Sequence, residues 1–146
     1  MTEHGNDLSG TIAAMTRGSD SQRWFDYASD PAAVEVLGRA IADAGRGHKP
    51  SAVVTWLSPD DTVLGHIVAR ELGVCRGAVD IDLGLLTLEP ALPNESRVLL
   101  VASSFDDRHS IGSMRTLLEG QGHTLVASVS IAAAEDESPL TIVGFD

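Results

Sequence analysis

Apolar residues recur every three or four positions between Pro31 and about Ala44, which predicts a helix with one apolar face. Asp30 favours a helix start there, because its carboxylate accepts from free N–H groups and the following proline has no N–H to satisfy. Gly45 and Gly47 supply the stop. The apolar positions of this helix are Val34, Leu37, Ile41 and Ala44. We expect the helix to cover one face of a sheet.

Short aliphatic runs bounded by Gly, Pro, Ser and Asp predict strands, and amphipathic stretches between them predict further helices. Strands that alternate with helices imply an α/β fold, with a mostly parallel, Rossmann-like sheet flanked by helices and joined by right-handed crossovers. In chain order the predicted elements are a strand at Ala52 to Leu57, a helix at Thr62 to Leu72, an edge hairpin within Val74 to Leu88, a strand at Arg97 to Ser103, a helix at Ser110 to Gly120, a strand at Thr124 to Ala132, an acidic turn at Glu135-Asp136-Glu137 and a last strand at Leu140 to Phe145.

Residues 1–20 are rich in Gly, Ser, Thr and Asp and contain only one short apolar patch, from Ile12 to Met15. This composition predicts a flexible N-terminal arm, or a segment that becomes ordered by packing on another surface. The aromatic residues Trp24, Phe25 and Tyr27 mark the start of the packed chain, where we expect them to be buried. Residues 21–146 are therefore predicted to form a single domain.

Acidic residues outnumber basic ones by 21 to 10, and Lys49 is the only lysine. A net charge of −11 argues against nucleic acid and against an anionic membrane as partners. The single cysteine, Cys75, cannot form an intramolecular disulfide and is expected to be a buried structural thiol. The N-terminal residues lack a basic segment followed by an apolar run, and no window approaches the ~20 apolar residues that span a bilayer. We expect a soluble cytoplasmic protein.

Two predicted strands end in related acidic turns, Ser58-Pro59-Asp60-Asp61 and Ser104-Phe105-Asp106-Asp107. The carboxyl ends of strands form the ligand crevice of an open α/β sheet, so four carboxylates rim one mouth if the strands are neighbours. In one interpretation, Asp61, and Asp107 or Ser110, simply cap the helices that follow. In another, Asp60, Asp61, Asp106 and Asp107 hold magnesium or calcium. The sequence contains no nucleophile elbow and no His or Cys metal-ligand spacing.

Three segments resemble the type I phosphoribosyltransferases, and the orotate enzymes most closely. They are Trp24-Phe25-Asp26-Tyr27 with the helix start after it, Leu64 to Gly73, and Arg97-Val98-Leu99-Leu100-Val101 with the loop and helix that follow. The resemblance implies a phosphoribosyltransferase-like fold, often self-associating. It also implies a strand that ends in two acidic residues for the ribose hydroxyls, followed by a Thr-Thr-Gly loop whose amides hold the 5-phosphate of phosphoribosyl pyrophosphate.

The sequence departs from this signature at three places. Aligned without gaps, Ala102 and Ser103 fall on the acidic pair, and Asp106-Asp107-Arg108 falls on Thr-Thr-Gly. Ser58-Pro59-Asp60-Asp61 replaces the small, Gly-rich pyrophosphate turn, and residues 77–96 contain no basic residue where the orotate enzymes have a basic mobile loop. The change at Ala102 and Ser103 removes the carboxylates for the ribose hydroxyls, and the other changes remove groups that would stabilise anionic phosphate.

The leading hypothesis is a phosphoribosyltransferase-like protein that has lost phosphoribosyl transfer and acts as a binding, regulatory or assembly module. The alternative is an active orotate- or nucleobase-type phosphoribosyltransferase with a rebuilt, magnesium-dependent acidic site. In a third reading the chain is the inactive partner of an active related subunit, with the arm from Met1 to Met15 and the hairpin around Leu85 to Leu92 at the interface, which exposure of Leu85, Leu86 and Leu88 would support. We therefore expect a homodimer, from self-association, or a hetero-oligomer with a related subunit. No catalytic residue is assigned. The candidate ligand crevice comprises Ser58, Asp60, Asp61, Thr62, Ser103, Ser104, Asp106, Asp107, Arg108, His109 and Ser110.

Overall fold

The computed structural model describes residues 2–19, 22–132 and 138–145, with side chains from residue 8 onward. The predicted acidic turn Glu135-Asp136-Glu137 lies outside the described residues. In the described part of the chain, the helices are α1 (Thr2–Met15), α2 (Pro31–Arg46), α3 (Pro59–Leu72) and α4 (Ile111–Gly120). The strands are β1 (Thr16–Arg17), β2 (Trp24–Phe25), β3 (Ala52–Trp56), β4 (Cys75–Asp82), β5 (Leu85–Glu89), β6 (Arg97–Ala102), β7 (Thr124–Ile131) and β8 (Leu140–Gly144).

A six-stranded sheet in the order β5-β4-β3-β6-β7-β8 forms the centre of the molecule. Strands β4, β3, β6 and β7 are parallel to one another, while β5 and β8 join the two edges antiparallel. The short strands β1 and β2 pair with each other, apart from the main sheet. The predicted α/β fold, with a mostly parallel sheet between helices, is therefore confirmed.

Capping residues set where the helices begin. The Asp30 carboxylate accepts from the Ala33 N–H group, and α2 starts at Pro31 as the sequence predicts. The start of α3 is earlier than predicted, at Pro59, because the Ser58 hydroxyl accepts from the Asp61 N–H group over 3.2 Å. Its C-terminal end at Gly73 has the left-handed backbone conformation that glycine adopts without strain.

The two faces of the sheet carry separate apolar cores. One core packs α1, α2 and α3 against alternate strand residues such as Val53 and Leu99. The other packs α4 against the intervening residues, among them Val54, Trp56 and Leu100. Since both faces of the central strands are covered, β3 is buried along its whole length, which is why its sequence is apolar except at Thr55.

The N-terminal segment forms the helix α1, which fits the alternative of a segment that packs on another surface. Leu8, Ile12 and Met15 lie on one face of α1 and are buried in the core that includes α2. Their spacing of four and three residues is helical, but Gly5 and Gly10 dilute the pattern in the sequence. The domain boundary at residue 21 stays a prediction. Within the described residues, no helix combines the length and hydrophobicity needed to span a bilayer.

Two expectations about burial are wrong. Cys75 is exposed: it is the first residue of β4 and precedes the part of the strand that pairs with β5. Trp24 is 56% exposed, whereas Tyr27 is buried as expected. Trp24 belongs to the short β1-β2 pair, which is separate from the main sheet.

Candidate functional site

A cavity of about 380 Å³ opens at the carboxyl ends of β3 and β6. These strands are parallel neighbours, so the two acidic turns that follow them meet at one edge of the sheet. Thr62, Asp107 and Ser110, which the sequence placed in the crevice, do not line it. The predicted residues that do line it are Ser58, Asp60, Asp61, Ser103, Ser104, Asp106, Arg108 and His109.

The cavity also has walls that the sequence analysis did not assign to the site. Trp56 and Leu57 come from the end of β3, while Val79, Asp80 and Ile81 come from β4. β4 contributes because it lies on the other side of β3 from β6, a strand order that the chain order alone does not fix. Asp107 is exposed outside the cavity, whereas Asp80 lines it. The cavity therefore has four lining aspartates, as many as the sequence predicted, but not the same four.

The carboxylate of Asp61 crosses from α3 to the end of β6. Its Oδ1 atom accepts from the backbone N–H of Ser103 at 3.2 Å and from the Ser103 hydroxyl at 3.0 Å. The Tyr27 hydroxyl lies 2.7 Å from Ser103 Oγ and donates to it, because the Ser103 proton is directed at the carboxylate. Burial raises the pKa of Tyr27, so this hydroxyl keeps its proton. The prediction that Asp61 caps α3 is wrong, since Ser58 takes that role.

The loop after β6 folds around the carboxylate of Asp106. Asp106 Oδ1 accepts from the backbone N–H groups of Arg108 at 3.0 Å and of His109 at 2.7 Å. The backbone N–H of Asp106 in turn donates to the His109 carbonyl at 3.2 Å. Above all, the N–H group of His109 lowers the pKa of Asp106 below its ordinary value. In a loop that binds an external anion, such backbone N–H groups are free to donate to it. Here the N–H groups of Arg108 and His109 already donate to the carboxylate of Asp106.

Ser110, rather than either aspartate, caps α4. Its hydroxyl accepts from the Ser113 N–H group at 3.1 Å. The capping interpretation is therefore correct for Ser110 and wrong for Asp107, which has no hydrogen bond or ion pair within the described residues.

His109 closes one side of the cavity against Trp56. The two ring centroids are 5.0 Å apart with the planes at 79°, an edge-to-face contact. The Nδ1 atom of His109 lies 3.4 Å from Asp106 Oδ1, so the ring and the loop carboxylate support each other. Arg108 is exposed and lines the mouth of the cavity.

The four-aspartate metal site is not formed in the structure. Among the described residues, no three His, Cys, Asp or Glu side chains come together in a group that could hold a metal ion. Asp61 and Asp106 direct their oxygens at N–H and hydroxyl donors, and Asp107 lies outside the cavity. Magnesium prefers several oxygen ligands around one point, which these directions do not supply.

Solved structures identify the architecture. Adenine phosphoribosyltransferase from Rhodothermus marinus matches with a TM-score of 0.68 and 16% identity, over 86% of this chain and 86% of that one. The Trypanosoma brucei adenine phosphoribosyltransferase, in complex with AMP, pyrophosphate and ribose-5-phosphate, matches with a TM-score of 0.67 and 15% identity. That match covers 85% of this chain and 66% of the enzyme. The chain has the type I phosphoribosyltransferase fold.

The phosphoribosyltransferase fold also appears in a longer protein, the UMP synthase of Leishmania donovani. That structure matches with a TM-score of 0.60 and 16% identity, over 88% of this chain and 30% of the other. This chain therefore spans just under two thirds of the Trypanosoma brucei enzyme and under a third of the UMP synthase. No protein-family model matches the sequence, and no curated protein does either. The resemblance seen in the sequence is thus confirmed at the level of the fold.

Proposed function

We propose that this protein keeps the phosphoribosyltransferase fold without phosphoribosyl transfer and acts as a binding, regulatory or assembly module. The observation that carries the proposal is the Asp106 turn, in which a carboxylate of the chain occupies the Arg108 and His109 amides. By the ungapped alignment, this loop is where the family holds the 5-phosphate. A phosphate group would have to displace that carboxylate and then sit beside it.

The electrostatics of the cavity support the same proposal. Carboxylates of Asp60, Asp61, Asp80 and Asp106 line it, against the side chains of Arg108 and His109. Catalysis of pyrophosphate departure requires positive charge or metal at the leaving group. An excess of negative charge at that place raises the energy of both bound phosphoribosyl pyrophosphate and the transition state.

The strand end supports it independently. The resemblance puts the ribose-binding acidic pair at Ala102 and Ser103. Ala102 is buried and has no polar side chain, and the hydroxyl and amide of Ser103 are both bound by Asp61. Neither residue offers a free carboxylate to ribose hydroxyls.

The competing proposal is an active enzyme in which magnesium reverses the charge of the acidic site. It requires Asp61 and Asp106 to exchange their present partners for a metal ion, at the cost of the bonds that shape both turns. Magnesium dependence of ligand binding separates the two proposals.

Assembly with a second copy or a related subunit is part of the proposal. The β4-β5 hairpin supports it, because Leu83 is 98% exposed and Leu85 is 73% exposed at its tip. Leu88 and the apolar face of α1 are buried within the chain, so they are not available to a partner. Sedimentation velocity across a concentration series tests this part. A single monomeric species at high concentration, with no co-purifying subunit, contradicts it.

The chain offers a built-in reporter for the crevice. It contains two tryptophans: Trp56 lines the cavity, whereas Trp24 is exposed and is not among the residues that line it. In the Trp24→Phe variant, emission therefore reports on the cavity alone. We expect no change in emission, and no calorimetric heat, when phosphoribosyl pyrophosphate is added to ~1 mM with or without magnesium, a range that covers ordinary enzyme KM values.

A transfer assay with adenine and with orotate completes the test. Turnover of either base by the purified wild-type protein would overturn the proposal. Binding that appears only with magnesium would favour the competing enzyme. The two readouts are independent, because binding and transfer are measured separately.

A further inference from the structure

A second cavity, of about 370 Å³, lies between the N-terminal halves of α2 and α3. Its walls are mostly apolar and include the ring of Tyr27 with Val34 and Ile67. Polar groups line it at Thr62, His66 and Arg76. A concave apolar site of this size with a few polar groups is the usual form of a small-molecule pocket.

Arg76 is the unusual member of this wall. It is partly buried, and its Cδ atom lies 3.6 Å from the position that a Cβ atom on Gly65 would occupy, so its stem packs over α3. The Arg76 guanidinium has no hydrogen bond or ion pair within the described residues. The chain has 21 acidic and 10 basic residues, so carboxylates that could pair with an arginine are plentiful. An arginine without such a partner beside apolar side chains is therefore unusual.

The carboxylate that also lines this cavity is committed elsewhere. Glu35 accepts from two guanidinium nitrogens of Arg70, at 3.2 and 2.5 Å. This bond lowers the pKa of Glu35 and raises that of Arg70, so both groups stay charged and neutralise each other. Among the residues that line this cavity, Arg76 is therefore the arginine or lysine whose charge has no carboxylate partner.

We propose that this cavity binds a small carboxylic acid with an aromatic or branched apolar body. The apolar body packs against Tyr27, Val34 and Ile67, and the carboxylate pairs with the guanidinium of Arg76, which suits the planar two-oxygen geometry of that group. A dianionic phosphate fits less well, because one guanidinium leaves a second charge unmatched in an apolar site. The site is separate from the crevice, so it does not depend on the proposed loss of phosphoribosyl transfer.

Calorimetric titration of the full chain with 3-phenylpropionate, benzoate and 4-methylpentanoate tests the proposal. The matched neutral probe is 3-phenylpropionamide, which keeps the apolar body and removes the charge. We expect saturable binding of at least one acid, and binding of the amide weaker by about tenfold or more, since the charge-assisted bond is lost.

Two variants locate the site. Arg76→Gln should weaken binding of the acid about tenfold or more, whereas Arg108→Gln removes the same charge at the other cavity and should change it less than about twofold. Circular dichroism establishes that both variants are folded. Absence of saturable binding for all three acids overturns the proposal. Equal binding of acid and amide, or equal loss in the two variants, overturns it as well.

Discussion

The hydroxyl of Tyr27 donates to Ser103 Oγ over 2.7 Å, although 76 residues separate the two in sequence. The Ser103 hydroxyl donates in turn to the carboxylate of Asp61. These three side chains therefore connect the segment before α2, the end of β6 and the first turn of α3. The ring of Tyr27 lines the apolar cavity while its hydroxyl reaches the residue at the edge of the acidic one. One buried side chain is thus shared by the surroundings of both cavities.

Replacing Tyr27 with phenylalanine tests the value of this connection. The Tyr27→Phe variant keeps the buried ring and loses the donor, and we expect the free energy of unfolding to fall by about 1 kcal/mol. Urea denaturation of wild type and variant measures it. Unchanged stability would mean that the bond to Ser103 contributes no more than the hydrogen bonds that this hydroxyl makes to water in the unfolded chain.

The Asp106 turn predicts a gain of anion binding when its carboxylate is removed. Asp106→Ala frees the amides of Arg108 and His109, and we expect inorganic phosphate to bind it at least about tenfold more tightly than it binds the wild type. Asp107→Ala is the matched control, because it removes an adjacent charge that bonds to nothing described. A phosphate titration followed by thermal shift measures both. Equal gains in the two variants would assign the effect to net charge alone.

The lowered pKa of Asp106 predicts a pH-dependent contribution to stability. Its hydrogen bonds stabilise the ionised form, so the contribution is full above the unfolded-state pKa of about 3.9 and is lost as the pH falls through the lower folded-state pKa. The wild type should therefore be more stable than Asp106→Asn at pH 7, and the difference should shrink at about pH 3. Urea denaturation at both pH values checks this. A difference that does not depend on pH would exclude ionisation of Asp106 as its cause.

Close packing between α2 and α3 depends on Gly38. A Cβ atom at this position would lie 2.3 Å from Cγ2 of Ile67, so we expect Gly38→Ala to destabilise the protein by about 1–3 kcal/mol. Gly112→Ala in α4 is the control, because nothing lies within 4 Å of that position. Its stability should be unchanged or higher by up to about 1 kcal/mol. Thermal unfolding of the pair separates packing from helix propensity.

His123 is a buried acceptor in the turn before β7. Its Nδ1 atom accepts from the backbone N–H of Ser96 at 3.2 Å. His123→Phe keeps an aromatic ring and leaves that N–H unpaired, which should cost about 1–3 kcal/mol. His66→Phe, on the exposed side of α3, is the control and should change stability by less than about 0.5 kcal/mol. Equal losses in the two variants would contradict the role of the bond.

Local pattern predicted most of the elements of the main sheet and its helices, but it missed α1 and could not give the partners of the site residues. The periodicity of α2 and the apolar run of β3 are signals within one element, so both were predictable. The bond from Ser103 to Asp61 spans 42 residues and depends on β6 lying beside β3. Asp80 lines the cavity because β4 lies beside β3, on the side opposite β6. Strand order, which the chain order leaves open, decides both.

The Asp106 turn also determines how the folding equilibrium responds to solutes. A loop that must recruit an external anion gains stability with the concentration of that anion, by mass action on the native state. Here the anion is part of the chain, held on the His109 amide at 2.7 Å, and its local concentration is fixed by covalent connection. We therefore expect the Asp106 turn to keep its hydrogen bonds without added phosphate, and the free energy of unfolding of the wild type to change little with phosphate concentration.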